Sequence, residues 1–165
     1  MQARGERALQ LAWRHGLRAI RSHIDSVGPG AACSWEALTA LRQQWLDRLE
    51  LQLVALVPVV HWSTRDGEQL AATVAAAGGA LGGFIQPPCR GRQERRGLRR
   101  LLELANQHGS PVDLHIDEAS SHPAAGMRQL LRVMESMEVS VPVTCSHASS
   151  LALLRDGPLR HLSDR

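Results

Sequence analysis

Two histidines close short strand-like runs, Val112-Asp113-Leu114-His115-Ile116-Asp117-Glu118 and Val141-Pro142-Val143-Thr144-Cys145-Ser146-His147, with a helical stretch between them. Neutral imidazole is a common ligand for first-row metals, and ligands carried on separate strands suit a site that keeps coordination positions open. Glu118 stands three residues past His115, where a carboxylate can take a proton from water and return it to a leaving group. The spacing marks His115 and His147 as metal ligands and Glu118 as the acid/base. The alternative is that both histidines are strand-end rings bonded to backbone and that Glu118 opens a helix or loop. His23, Asp25 and Asp117 are weaker candidates, to line the pocket or to orient a ligating histidine from behind.

Two further groupings invite chemistry. Cys145 and His147 lie at i, i+2 on one strand, the spacing of a thiol nucleophile with an imidazole base; a small buried cysteine is the commoner use of that residue. The basic stretch from Arg90 to Arg100 could contact phosphate. It has no interleaved aromatics and overlaps an amphipathic helix pattern, so it reads as a solvated face, and no nucleic-acid partner is expected.

Helix and strand signals alternate along the whole chain. Helices are expected over about Glu6–His15, from an N-cap at Ser34 with Leu38, Leu41, Trp45 and Leu49 inward, from an Asp66/Gln69 capping box, from about Gln93 to a stop at Gly109, after Pro123, and from Ser149. Strands are expected near 17–25, 51–58, 80–85, 112–117 and 141–147, the third loosened by Gly82 and Gly83. Strict alternation predicts a parallel sheet with helical crossovers, either an open doubly wound sheet or an arc of a barrel. Arg21, His23 and Asp25 share one strand face opposite Ile20 and Ile24, as Asp113, His115 and Asp117 do opposite Val112, Leu114 and Ile116. A polar row inside a helix-covered sheet belongs at a barrel mouth, where the C-terminal strand ends converge. No glycine-rich phosphate loop follows the first strand, which weighs against a nucleotide-binding open sheet. The expected fold is a partial (β/α)8 barrel, one domain over residues 1–165.

Composition adds exclusions. Cys33, Cys89 and Cys145 are far apart and form no CxxC pair, so a disulfide framework is not expected and a reducing, cytoplasmic location is. The N-terminus has no apolar leader and no apolar run is long enough to span a bilayer, so no membrane partner is expected. All 19 basic residues are arginine, and the net charge of +3 is too small to imply a polyanionic partner.

Together the segments resemble the cytosine deaminase branch of the amidohydrolase superfamily. Arg21-Ser22-His23-Ile24-Asp25 resembles that family's R-T-H-V-D strand, and Leu51-Gln52-Leu53-Val54-Ala55-Leu56 its L-Q-I-V-A-F strand. His115-Ile116-Asp117-Glu118 is similar to H-C-D-E, and Val143-Thr144-Cys145-Ser146-His147 to V-T-A-S-H. Order and spacing agree from Arg7 to Leu154. The resemblance implies that His115 and His147 hold a single Fe or Zn ion. It implies that Glu118 is the proton shuttle, and that water attacks an amide or amidine carbon of a small nitrogen heterocycle with release of ammonia. Val59 follows Pro58, where that family places a pyrimidine-contacting glutamine. The family's H-x-H strand and its last-strand aspartate, both ligands, have no counterpart here. The expectation is therefore the middle of a barrel, about five strands, inactive alone and completed by a second copy or another chain. The alternative is a non-catalytic truncated barrel fragment or interaction protein.

Overall fold

The computed structural model describes residues 1–89 and 91–164. Six helices and five strands alternate: α1 Gln2–Arg14, β1 Ala19–Asp25, α2 Ala31–Trp45, β2 Glu50–Leu56, α3 Arg65–Ala76, β3 Ala80–Phe84, α4 Arg92–His108, β4 Val112–Ile116, α5 Ala125–Met134, β5 Val143–His147 and α6 Asp156–Ser163. Short 3₁₀ turns over Val59–Ser63 and Ser149–Leu153 follow β2 and β5.

The strands lie in the order β1-β2-β3-β4-β5 and every neighbouring pair is parallel. A doubly wound sheet reverses its strand order at a switch point. An order that never reverses is the winding of a (β/α) barrel, and the molecule is a five-strand arc of one. Among the described residues β1 pairs only with β2, and β5 only with β4.

Register assigns each side chain to a face. Val54 of β2 pairs with both His23 and Ala80, Gly82 with Asp113, Phe84 with His115, and His115 with Ser146; these positions form the concave face. Leu53, Ala55, Leu81, Val112, Leu114 and Ile116 point the other way into the aliphatic core, where Leu98, Leu101, Leu102 and Ala105 of α4 meet them. That stripe of α4 is the one its helical spacing predicts. Gly109 ends the helix in a left-handed conformation at φ 63°, as a glycine stop does.

Several local expectations are corrected. Ser34 lies inside the first turn of α2, its hydroxyl donating back to the Gly30 carbonyl. The cap of α3 is Thr64, whose Oγ1 accepts from the Gly67 amide at 3.0 Å; Asp66 sits in the first turn, where its charge complements the helix dipole. Pro123 precedes α5 rather than opening it, with Ala124 between them in a left-handed conformation. β3 lies in the middle of the sheet with Ala80 to Gly83 buried, pairing with β4 at four positions and with β2 at two. A Cβ on Gly82 would stand 2.5 Å from the Ala55 carbonyl oxygen and from Val54 Cγ1, so close backbone approach is the reason for glycine there.

Candidate metal centre

Three histidines meet at the C-terminal ends of the strands. His23 of β1 and His115 of β4 stand ring to ring, centroids 4.4 Å apart at 65°. His115 and His147 are 4.7 Å apart at 80°, with His147 Nε2 3.4 Å from His115 Nδ1. His115 is the middle ring. The concave face lets β1 reach β4 because the intervening strands present the small Val54, Ala80 and Gly82 toward it below Phe84.

His147 arrives by an unusual route. Its register partner is Ile116, which faces the helices, so strand alternation alone would send His147 outward. A left-handed backbone at φ 69° carries it the other way, and Ala148 follows at φ 50° with its amide still bonded to the Ile116 carbonyl. Cys145 keeps the outward parity and packs against the core. Its thiol therefore does not share a face with the His147 ring, and burial pushes its pKa to about 11. The thiol–imidazole pair is not formed.

Asp113 anchors the inside of the arc. It is 1% exposed, accepts from Arg21 Nη1 at 2.6 Å and from the Ser146 hydroxyl at 2.8 Å, and lies 3.4 Å from His23 Nε2. Burial alone would raise its pKa; the Ser146 hydroxyl, Arg21 and His23 outweigh burial and hold it below the ordinary carboxylate value. Arg21 spans from β1 to β4 and on to Thr144 Oγ1 of β5 at 3.3 Å, which shows how tightly the arc curls. Sequence reasoning placed Asp113 in the polar row but gave it no role. The signal was there: a carboxylate two residues before a candidate ligand, on the same strand face.

Glu118 is exposed at the rim, takes no hydrogen bond from the described residues, and lines a cleft of about 610 Å³ together with His115, Phe84 and Gln86. Asp117 is corrected. It leaves the strand with φ 53°, and its carboxylate accepts from the Gly126 and Met127 amides at 2.9 and 2.7 Å, capping α5. Both oxygens being so used, it orients no histidine. Asp25 is exposed at the end of β1, paired there with Leu56, and its carboxylate makes no hydrogen bond or ion pair with the described residues. In the basic stretch, Arg90 lies outside the described residues. Arg99 binds Ser136, and Arg100 binds Glu68 and Glu103 on the outer helical layer.

The donor set fits a divalent metal ion. Ligand atoms of His23, Asp113 and His115 lie within 4.8 Å of one another. His23 Nε2 is buried, and its approach to Asp113 lacks hydrogen-bond alignment, so it is left without a partner. An orphaned buried imidazole nitrogen is costly unless something fills the space in front of it. The pKa of His115 is lowered, first by burial and then by the neighbouring His23 and His147 rings, which favours the neutral, metal-binding form. Asp113, engaged by Arg21 and Ser146, serves the set better as an orienting group than as a ligand.

No protein-family model matches the chain. It is 32% identical over 155 residues, 92% of its length, to a pterin deaminase of Rhizobium rhizogenes (strain K84 / ATCC BAA-868), of which it spans 34%. It superposes with a TM-score of 0.81 on 5-methylcytosine deaminase of Klebsiella pneumoniae liganded with phosphonocytosine, at 23% identity, covering 99% of this chain and 40% of that one. Over nearly its whole length the chain is similar to these two deaminases. A second solved structure, N-isopropylammelide isopropylaminohydrolase of Burkholderia multivorans ATCC 17616, matches with a TM-score of 0.72 and 25% identity over 91% of this chain and 38% of that one. The chain thus spans between a third and two fifths of the length of these relatives. Among the described residues no helix is long and apolar enough to cross a membrane.

Proposed function

We propose that the chain supplies one wall of the active site of a metal-dependent amidohydrolase that hydrolyses a C–N bond of a small cyclic amide or amidine, in the manner of a cytosine deaminase. The observation that carries this reading is the three-histidine group, with a buried unpartnered nitrogen, beside a cleft that Glu118 lines. The names of the similar proteins, two deaminases and an aminohydrolase, point the same way.

In this reading His115 and His147 hold one Fe or Zn ion, and His23 turns its free Nε2 toward the same space. The ion, when bound, supplies Lewis acidity that brings the ionisation of water into the neutral range. Glu118 takes the proton from the attacking water and delivers it to the departing nitrogen, so one carboxylate serves both transfers. Asp113 holds its strand in place through Arg21 and Ser146 and stands 3.4 Å from His23 Nε2, at the border of the same space. The remaining donors would come from further polypeptide pairing along the edges of β1 and β5, which meet no other strand among the described residues.

The test is metal retention and turnover measured side by side. Purified with Zn(II), the chain is expected to hold metal that His115→Ala removes, and Glu118→Gln is expected to keep. In the assembled enzyme Glu118→Gln abolishes ammonia release. Retention of the same metal after all three histidines are replaced by alanine would sink the reading.

A further inference from the structure

The cleft beside His115 is lined unevenly, and the unevenness specifies a ligand. Phe84, the register partner of His115, presents its ring on the concave face, and the Ile85 amide is bonded to the His115 carbonyl at 3.2 Å. The next residue, Gln86, is exposed at the rim, and its carboxamide makes no hydrogen bond with the described residues, although its carbonyl oxygen on the main chain is engaged by Cys89. Pro87 and Ala119 add apolar surface. Besides His115, no basic side chain is among the described residues that line the cleft.

We propose that Gln86 is the specificity-determining residue of this site, reading the N–H/C=O edge of a neutral, planar nitrogen heterocycle that lies against Phe84. The inference rests on the functional reading above and deepens it to a ligand class: free bases, not their phosphorylated forms. A primary carboxamide offers a donor and an acceptor side by side, which matches a ring lactam or an amidine edge and matches nothing on a hydrocarbon. An aromatic wall gives area without selecting among bases. Among the described residues a phosphate entering this cleft would meet the Glu118 carboxylate and no guanidinium, so its charge would be repelled rather than paired. The volume of about 610 Å³ is in the ordinary range for a small-molecule site and admits a bicyclic ring.

The test uses the zinc-loaded full chain and the intrinsic fluorescence of pterin. Wild type is expected to bind pterin about tenfold more tightly than its 4-O-methyl derivative, which lacks the lactam N–H, as the loss of one or two neutral hydrogen bonds gives. Gln86→Met, an exposed and nearly isosteric change, is expected to weaken pterin to the level of the methyl ether and leave the ether unchanged. A preference that survives in Gln86→Met overturns the inference and leaves the functional reading standing. A pterin phosphate ester that binds as tightly as the free base overturns the neutral-ligand assignment. If wild type binds no pterin, pyrimidine or triazine at all, the functional reading falls and this inference with it.

Discussion

Leu53, Leu81 and Leu114, on the convex side of the sheet, are each at most 1% exposed and sit in one continuous aliphatic core. One residue further along the same strands, on the concave side, stand Val54, Gly82 and His115, within reach of Asp113 and Arg21. The same backbone thus carries two kinds of interior. The convex face is stabilised by buried area, which is non-directional, so many hydrophobic combinations satisfy it. The concave face is held by named partners: Arg21 to Asp113, Ser146 to Asp113, and the ring-to-ring row of histidines. There a substitution matters by which atom it removes rather than by how much volume.

The sharpest break of this contrast is a cavity on the convex side. Leu114→Ala is expected to cost about 2–5 kcal/mol in denaturant unfolding, while Leu114→Met stays below that range because volume is nearly conserved. On the concave side even an isosteric change should tell. Asp113→Asn strands the Arg21 and Ser146 donors on a weaker acceptor and is expected to cost about 1–3 kcal/mol, toward the lower end because Arg21 is partly solvated. If Asp113→Asn melted like wild type, the buried carboxylate would not be holding the arc. Smaller still is His115→Ala, whose apo stability is expected within about 0.5 kcal/mol of wild type even though metal retention is lost; a large drop in apo stability would make the ring a structural piece instead. The smallest effect separates the thiols. Because burial raises the Cys145 pKa to about 11, its thiolate is scarce at pH 8 and grows only as the pH climbs toward that value. Alkylation at pH 8 should mark exposed Cys33 and spare Cys145 and buried Cys89.

The convex face was largely legible in the sequence and the concave face only in part. Alternation of Val112, Leu114 and Ile116 with Asp113 and His115 fixes both faces of β4, and the α4 stripe fixes what covers them. What pattern reading cannot supply is a departure from pattern. His147 reaches His115 only through a left-handed backbone that no periodicity announces, and Asp117 leaves its strand in the same way to become a cap. The expectation that Asp117 faces the pocket follows from extending strand parity one residue too far. Thr64 and Asp66 are equally good capping types, and only the backbone shows which one precedes the first turn. Asp113 was visible as part of a row, but its role depends on Arg21 reaching across two strands, a contact between residues 92 apart in sequence.

The clamp at Asp117 has a consequence for how this site can diversify. The Asp117 carboxylate is tied to the start of α5, its carbonyl accepts from Ser150 at 2.9 Å, and the Ser150 hydroxyl accepts from the Ala124 amide. The backbone immediately before Glu118 is therefore fastened from both sides, independently of residues 119–123. Those residues, with Ala119 and Ser121 facing the cleft, can be exchanged, lengthened or shortened while the carboxylate keeps its mooring. Under the proposed function, one moored carboxylate is thereby paired with a replaceable wall, an arrangement in which new ring shapes can be explored by drift without first displacing that carboxylate.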